Sequence, residues 1–151
     1  MTDKGLYIHR EIIDSAGLVL WMKQIGVVDP VRSSSLHTTQ AYSRKSVETP
    51  PHDDPIRVRN GHRSLEQFDQ GAFVLKIAAP YLSARHAQLM RMGATFDYPE
   101  YVPHITLSYS EQSESVQNAP PYDGEILLGG EIHEDLEDHR HSNMDLDENA
   151  T

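Results

Sequence analysis

Two histidines, His37 and His104, each stand two residues before a threonine, in the runs Leu36-His37-Thr38-Thr39-Gln40-Ala41-Tyr42-Ser43 and Pro103-His104-Ile105-Thr106-Leu107-Ser108-Tyr109-Ser110. Both runs read as β-strands, in which successive side chains alternate faces. His37 and Thr39 then point one way and Thr38 the other, while His104 and Thr106 share a face that Ile105 leaves. Each motif presents one imidazole beside one hydroxyl. An imidazole exchanges a proton near neutral pH, and a threonine hydroxyl donates a hydrogen bond to an anionic oxygen. Two such pairs facing each other suit phosphodiester cleavage. One His takes the proton of the attacking oxygen, the other gives a proton to the leaving oxygen, and the two Thr hold the non-bridging oxygens. That chemistry requires no metal and no other cofactor.

The elements that must hold these strands follow from periodicity and turn residues. Residues 5–9 form a short β-prone run. Asp14 or Ser15 can cap a helix that runs to about Gln24 and stops at Gly26, with Ala16, Val19 and Leu20 as its apolar stripe and Trp21 at core or rim. Residues 46–54, with Pro50-Pro51, read as a surface loop. Residues 56–59 and 62–68 flank Asn60-Gly61 and read as a hairpin. An apolar strand over 72–78 leads to Pro80 and a helix from about Tyr81 to Met92, stopped at Gly93. Residues 95–103 carry Phe96, Tyr98 and Tyr101 immediately before the second motif, which makes Tyr98 a candidate substrate contact. Residues 111–122 read as a loop, and 125–128 and 131–136 as the final strands. A helix precedes a His-x-Thr strand in each half. The expectation is an α+β fold of two lobes, each a small antiparallel sheet with a helix, with the active-site groove between them.

The length of 151 residues suits one domain over 1–136, followed by an acidic tail over 137–151 with almost no apolar residues, expected to be disordered. Cysteine is absent, which excludes disulfide staples, thiolate zinc sites and a Cys nucleophile. No apolar run approaches a membrane span and the N-terminus does not read as a signal peptide, so no membrane association is expected. The formal charge of −10 is unevenly spread: residues 131–151 hold eight acids and one base, and the rest holds 15 acids against 12 bases. A mildly acidic body argues against a long nucleic acid as ligand, since such binding leans on a broad basic patch. A small nucleotide held by a few local donors remains compatible with it. His133, and His139 and His141 in the tail, lie among acids and are not assigned a metal.

The paired motifs resemble those of the two-histidine phosphoesterase superfamily. Gly5-Leu6-Tyr7, the run 36–43, the run 98–109 and Gly124-Glu125-Ile126-Leu127-Leu128-Gly129-Gly130-Glu131 further resemble the phage anti-CBASS phosphodiesterases, over roughly residues 4–136. That resemblance implies hydrolysis of the cyclic di- and trinucleotide signals of bacterial anti-phage immunity, within the cytoplasm of an infected host. It implies His37, Thr39, His104 and Thr106 as catalytic residues, Tyr7 as an aromatic that stacks on a base, and Glu131 as a substrate contact. Thr38 departs from the usual aliphatic residue at the middle of the first motif and is expected to face the core. Phe96 and Tyr98 stand where a Trp would be unsurprising, which leaves base preference open. Which His is acid and which base also stays open, because the motifs are nearly symmetric. Two other readings remain: a nucleotide sponge that binds without cutting, and a two-histidine enzyme acting on 2′,3′-cyclic phosphate or 2′–5′ linked RNA. Nothing in the sequence addresses oligomeric state.

Overall fold

The computed structural model describes residues 3–59 and 61–139. The elements follow in the order β1 (Leu6–Ile13), α1 (Ala16–Ile25), β2 (His37–Ser43), β3 (Ile56–Val58), β4 (Arg63–Gln67) and β5 (Phe73–Ile77). Then come α2 (Pro80–Arg91), β6 (His104–Ser108), a one-turn α3 (Glu114–Gln117), β7 (Ile126–Leu128) and β8 (Ile132–Glu134). The fold is α+β, a curled antiparallel sheet in the order β3-β7-β1-β2-β6-β5-β4, with β8 also paired to β1. Two lobes meet where β2 pairs with β6, the two strands that carry the motifs.

Both helices end where glycine permits the left-handed turn. Gly26, at φ 85°, caps α1 and returns its N–H to Met22 and Lys23, while Gly93, at φ 110°, follows α2. Pro80 opens α2, where its missing N–H leaves no bond unmade. The buried face of α1 differs from the expected stripe: Leu18 and Met22, one turn apart, are each 2% exposed, whereas Leu20 is 56% exposed. Spacing of four places 18 and 22 above one another, and Leu20 falls on the far side. Among the described residues, the two runs expected to form a hairpin around Asn60 do not pair with each other. β3 pairs with β7, and β4 pairs with β5 around a turn in which Gly71, at φ 106°, sits. Leu65 packs on the core while Arg57 bonds Glu125 at the surface, so the two runs serve different lobes. Within the expected loop, α3 forms because the Ser113 hydroxyl accepts from Val116 N and caps it. A helical turn over 136–139 carries the described chain beyond the expected domain end; the rest of the expected tail lies outside the described residues.

One face of the sheet is covered by both helices. Leu18, Met22 and Leu82 join Ile12, Leu75, Ile105 and Leu107 in one core, and Leu89 packs with Leu6, Ile8 and Ala41. Even-numbered residues of β1 face this core, so Tyr7, His9 and Glu11 face the other side.

The core side also holds a buried ionic cluster. Arg10 is fully buried and donates to the carbonyls of Asp54 at 3.0 Å, Gly129 at 2.8 Å and His52 at 3.3 Å. Arg85 donates two hydrogen bonds to Glu131, at 2.8 and 3.0 Å, and the backbone N–H of His52 adds a third at 3.0 Å. The irregular segment ahead of β3 has no ladder of its own, and these bonds fasten it to β1, α2 and the approach to β8. Burial alone would push the Glu131 carboxyl up, but hydrogen bonds from His133, Arg85 and His52 hold it down at about 2. A carboxyl with a lower pKa in the folded chain stabilises it above the ordinary value of 4.5, and that contribution is lost as pH falls toward 2. Glu131→Gln is expected to cost on the order of 3 kcal/mol at neutral pH and to flatten the acid limb of stability. Denaturant unfolding of both proteins from pH 7 down to about 2 checks this; parallel limbs would show that another group carries the acid sensitivity.

Candidate active site

The four motif residues share the face opposite the helices. β2 and β6 pair antiparallel at Thr38 and Ile105, both fully buried. Continued one residue each way, that register sets His37 across from Thr106 and Thr39 across from His104. The four form a two-by-two grid, half-buried, with the imidazoles at opposite corners. Diagonal neighbours in such a pair stand about 7–8 Å apart, which leaves room for one phosphate between the rings.

The two imidazoles are held alike. His37 Nδ1 lies 2.8 Å from the carbonyl of Ser35, and His104 Nδ1 lies 2.9 Å from the carbonyl of Val102. A carbonyl only accepts, so each Nδ1 carries the hydrogen and each Nε2 is left for chemistry. The same bond survives protonation of Nε2, so either ring serves as base when neutral and as acid when charged. The unusual Thr38 faces the core, as expected, and does more than pack: its hydroxyl donates to the carbonyl of His104 at 2.8 Å. This bond ties the first motif's backbone to the second.

Tyr7 also reaches the site. Its hydroxyl lies 3.3 Å from Thr39 Oγ1, and burial pushes it up to about 12, so it is a neutral phenol. Tyr7 is only 2% exposed, and His139 of the C-terminal turn stacks on its ring at 3.6 Å between centroids, with planes 11° apart. A base gains that face only by displacing His139. Glu134, across β1 from Tyr7, lies 2.9 Å from His139 Nδ1. Burial pushes the pKa of His139 down.

Two sequence-derived site residues stand elsewhere. Glu131 is not open to a ligand: both carboxylate oxygens are engaged in the ionic cluster, and it is 5% exposed. Tyr98 is 67% exposed, and its ring partner is Phe96 at 5.6 Å. The segment around it packs on α2 instead of lining the motifs, with Tyr101 stacked on His86 at 4.1 Å. Tyr101 still supports the site at one remove, donating to the Thr39 carbonyl at 2.7 Å. Sequence reasoning missed His9, Glu11 and Glu134, which register places in or beside the grid: His9 pairs with Thr39 and Glu11 with His37. Alternation along 5–9 already set Tyr7 and His9 on one face, and only the partner of that face was hidden. Lys76 pairs with His104 from β5 and bonds Glu66 at 3.1 Å.

A family model described as anti-CBASS protein Acb1 matches residues 4–143. Among curated relatives bearing that description, one from Acinetobacter phage Ac42 is 31% identical over 89% of this chain and 93% of its own length. One from Enterobacteria phage T4 is 36% identical over 70% of this chain and 72% of its own. A relative from Caulobacter sp. is 30% identical over 89% of this chain, which spans only 23% of that longer protein; the chain likewise spans 22% of a relative from Sphingomonas paeninsulae. Escherichia coli LigT, in a crystal structure with 3′-AMP, superposes with a TM-score of 0.58 at 15% identity over 87% of both chains. A second crystal structure of a phosphoesterase gives 0.57 at 15% identity. The fold is therefore that of the two-histidine phosphoesterases.

Because the Thr38 hydroxyl bridges the motifs from the buried side, Thr38→Val should lower stability by about 1–2 kcal/mol and slow turnover without touching any group in the groove. Chemical denaturation paired with kcat checks this, and loss of stability with unchanged kcat would show that the bridge does not set the grid.

Proposed function

The chain belongs to the anti-CBASS protein Acb1 family, and from that premise we propose that it is a metal-independent phosphodiesterase that opens cyclic di- and trinucleotide immune signals. The observation that carries the reading is the grid of His37, Thr39, His104 and Thr106, with both Nδ1 atoms anchored on carbonyls. In a cyclic ribonucleotide the 2′-oxygen already stands beside the 3′-phosphorus, so attack is intramolecular. One Nε2 removes the 2′-hydroxyl proton as the new bond to phosphorus forms. The bond to the 5′-oxygen breaks, and that oxygen takes the proton from the other, charged imidazole. Thr39 and Thr106 donate to the non-bridging oxygens as negative charge builds there. The first product is linear, with a 2′,3′-cyclic phosphate at one end and a free 5′-hydroxyl at the other. Diagonal placement of the imidazoles favours entry and departure on opposite sides of phosphorus. Tyr7 takes a base once His139 moves aside. The host cytoplasm, where such signals are made, is the place of action under this reading, and among the described residues no helix is long and apolar enough to cross a membrane.

The likeness to LigT supports a second reading, an enzyme for 2′,3′-cyclic phosphate ends or 2′–5′ linkages of RNA, on the shared fold alone.

Incubation with a panel of cyclic di- and trinucleotides in excess EDTA, with products read by mass, separates these. Linear products are expected from wild type, with the rate lowered about 100-fold or more in His37→Ala and in His104→Ala. The rate should be bell-shaped in pH, because one imidazole must be neutral and the other charged. Ligand that binds uncut would indicate a sponge, and cleavage confined to RNA ends would favour the second reading. In the same assay Tyr7→Ala should raise KM about tenfold, the scale of one lost base stack, and leave kcat nearly unchanged; an unaltered KM would remove Tyr7 from the binding site.

A further inference from the structure

The groove holds an imidazole that the mechanism above leaves idle. His9 lies on β1, paired in register with Thr39, so one row of the sheet reads His9, Thr39, His104. Its ring meets the edge of His37 at 5.6 Å between centroids and stacks beside Tyr7 at 5.0 Å. It is half-buried, and its Nδ1 is enclosed without a hydrogen-bond partner among the described residues. In this it differs from His37 and His104, whose Nδ1 atoms are each fixed on a carbonyl. With no carbonyl on Nδ1, the His9 ring is not anchored as the rings of His37 and His104 are, and its place in the row with Thr39 and His104 sets it beside whatever those residues bind. We propose that His9 is a further substrate-contacting residue: when a phosphodiester enters the groove, His9 takes up a proton from solvent and donates a hydrogen bond through Nε2 to a non-bridging phosphate oxygen.

This inference rests on the phosphodiesterase reading and deepens it. Burial first, and then the neighbouring His37 and His139, push the pKa of His9 down, which favours the neutral ring. Glu134 on β8 and Glu11 on its own strand act the other way. Tyr7 on β1 faces it as a neutral phenol. A dianionic cyclic dinucleotide adds negative charge directly over this row, which favours the protonated ring. The proton is returned to solvent when product leaves, and the transfer of phosphorus from the 5′- to the 2′-oxygen itself consumes none. The device suits a protein of formal charge −10: a cation that appears only with its ligand provides attraction at the scissile phosphate without a standing basic patch.

The test follows the His9 ring by NMR across pH, in the protein alone and with a cyclic dinucleotide built from 2′-deoxynucleotides, which binds but lacks the attacking hydroxyl. The titration midpoint of His9 should rise by about one unit or more on binding. His9→Gln keeps hydrogen-bonding capacity but cannot be charged. It should lower kcat/KM for the ribonucleotide about tenfold, with KM raised, and its thermal unfolding should match wild type. A midpoint unmoved by ligand, or an unchanged KM in His9→Gln, would overturn the inference even where wild type cleaves. Should wild type cut no cyclic nucleotide, inorganic phosphate and 3′-AMP serve as probes. A raised midpoint with them retains the third imidazole and rejects the phosphodiesterase reading, and an unmoved one rejects both.

Discussion

The antiparallel pairing of Thr38 with Ile105 is the constraint on which the site depends. Side chains alternate along a strand, so fixing one buried pair between β2 and β6 fixes the facing of every neighbour. A slip of one residue would send both imidazoles into the core and bring Thr38 and Ile105 to the groove. Such a slip is opposed from both sides. Ile105 is wholly buried in the main apolar cluster, and Thr38 spends its hydroxyl on the His104 carbonyl. A bulge in the β1–β2 pairing between Ile8 and His9 lets Ala41 return to the core face although Thr38 and Gln40 already occupy it. The sheet therefore keeps its helical side filled without moving Thr39 out of the groove.

β1 shows how the two faces divide the labour. Its even positions carry Leu6, Ile8, Arg10 and Ile12, which meet the helices and the ionic cluster, and its odd positions carry Tyr7, His9 and Glu11, which meet the motifs. Arg10 and Glu131 place full charges on the closed side, where carbonyls receive the terminal nitrogens of Arg10 and a second arginine pairs with Glu131. The open side has imidazoles, hydroxyls and a phenol beside Glu11, Glu134 and Lys76, so its acids and its base roughly offset one another. The buried charges are paired away from solvent, and charge that must change stands in the groove.

Much of this was legible in the chain. The His-x-Thr pairs announce their facing through strand alternation alone, and Gly26, Pro80 and Gly93 mark helix ends through backbone constraints that act locally. The misread elements are those decided by distant partners. Asn60-Gly61 has the composition of a hairpin turn, but β3 takes β7 as its partner and β4 takes β5, and no local signal reports that. Leu20 and Leu18 are equally apolar, and only the placement of α1 over Ile12 and Leu107 selects Leu18. Glu131 and Glu134 illustrate the same limit at the site. They are three residues apart and chemically alike, yet one precedes β8 and turns inward to Arg85, while the other sits across β1 from Tyr7.

Under the proposed function, an acidic protein must obtain its affinity for a phosphodiester from something other than bulk charge. Lys76 stands in the same row as His104, but it is bonded to Glu66, and Glu11 stands beside His37, so the groove has no standing surplus of cations. Directional donors then matter more: two threonine hydroxyls, imidazole N–H groups and an aromatic face, each effective only within hydrogen-bonding or stacking distance. Attraction of that kind does not extend along a polymer, because it vanishes a few ångströms beyond the grid. It rewards a compact ligand whose phosphate and base reach His37, His104 and Tyr7 together, and a ring of two or three nucleotides is such a ligand. The same reasoning gives the His139 stack its significance: it occupies the aromatic face when no base is there, so a ligand must supply enough contact at the phosphate to displace it.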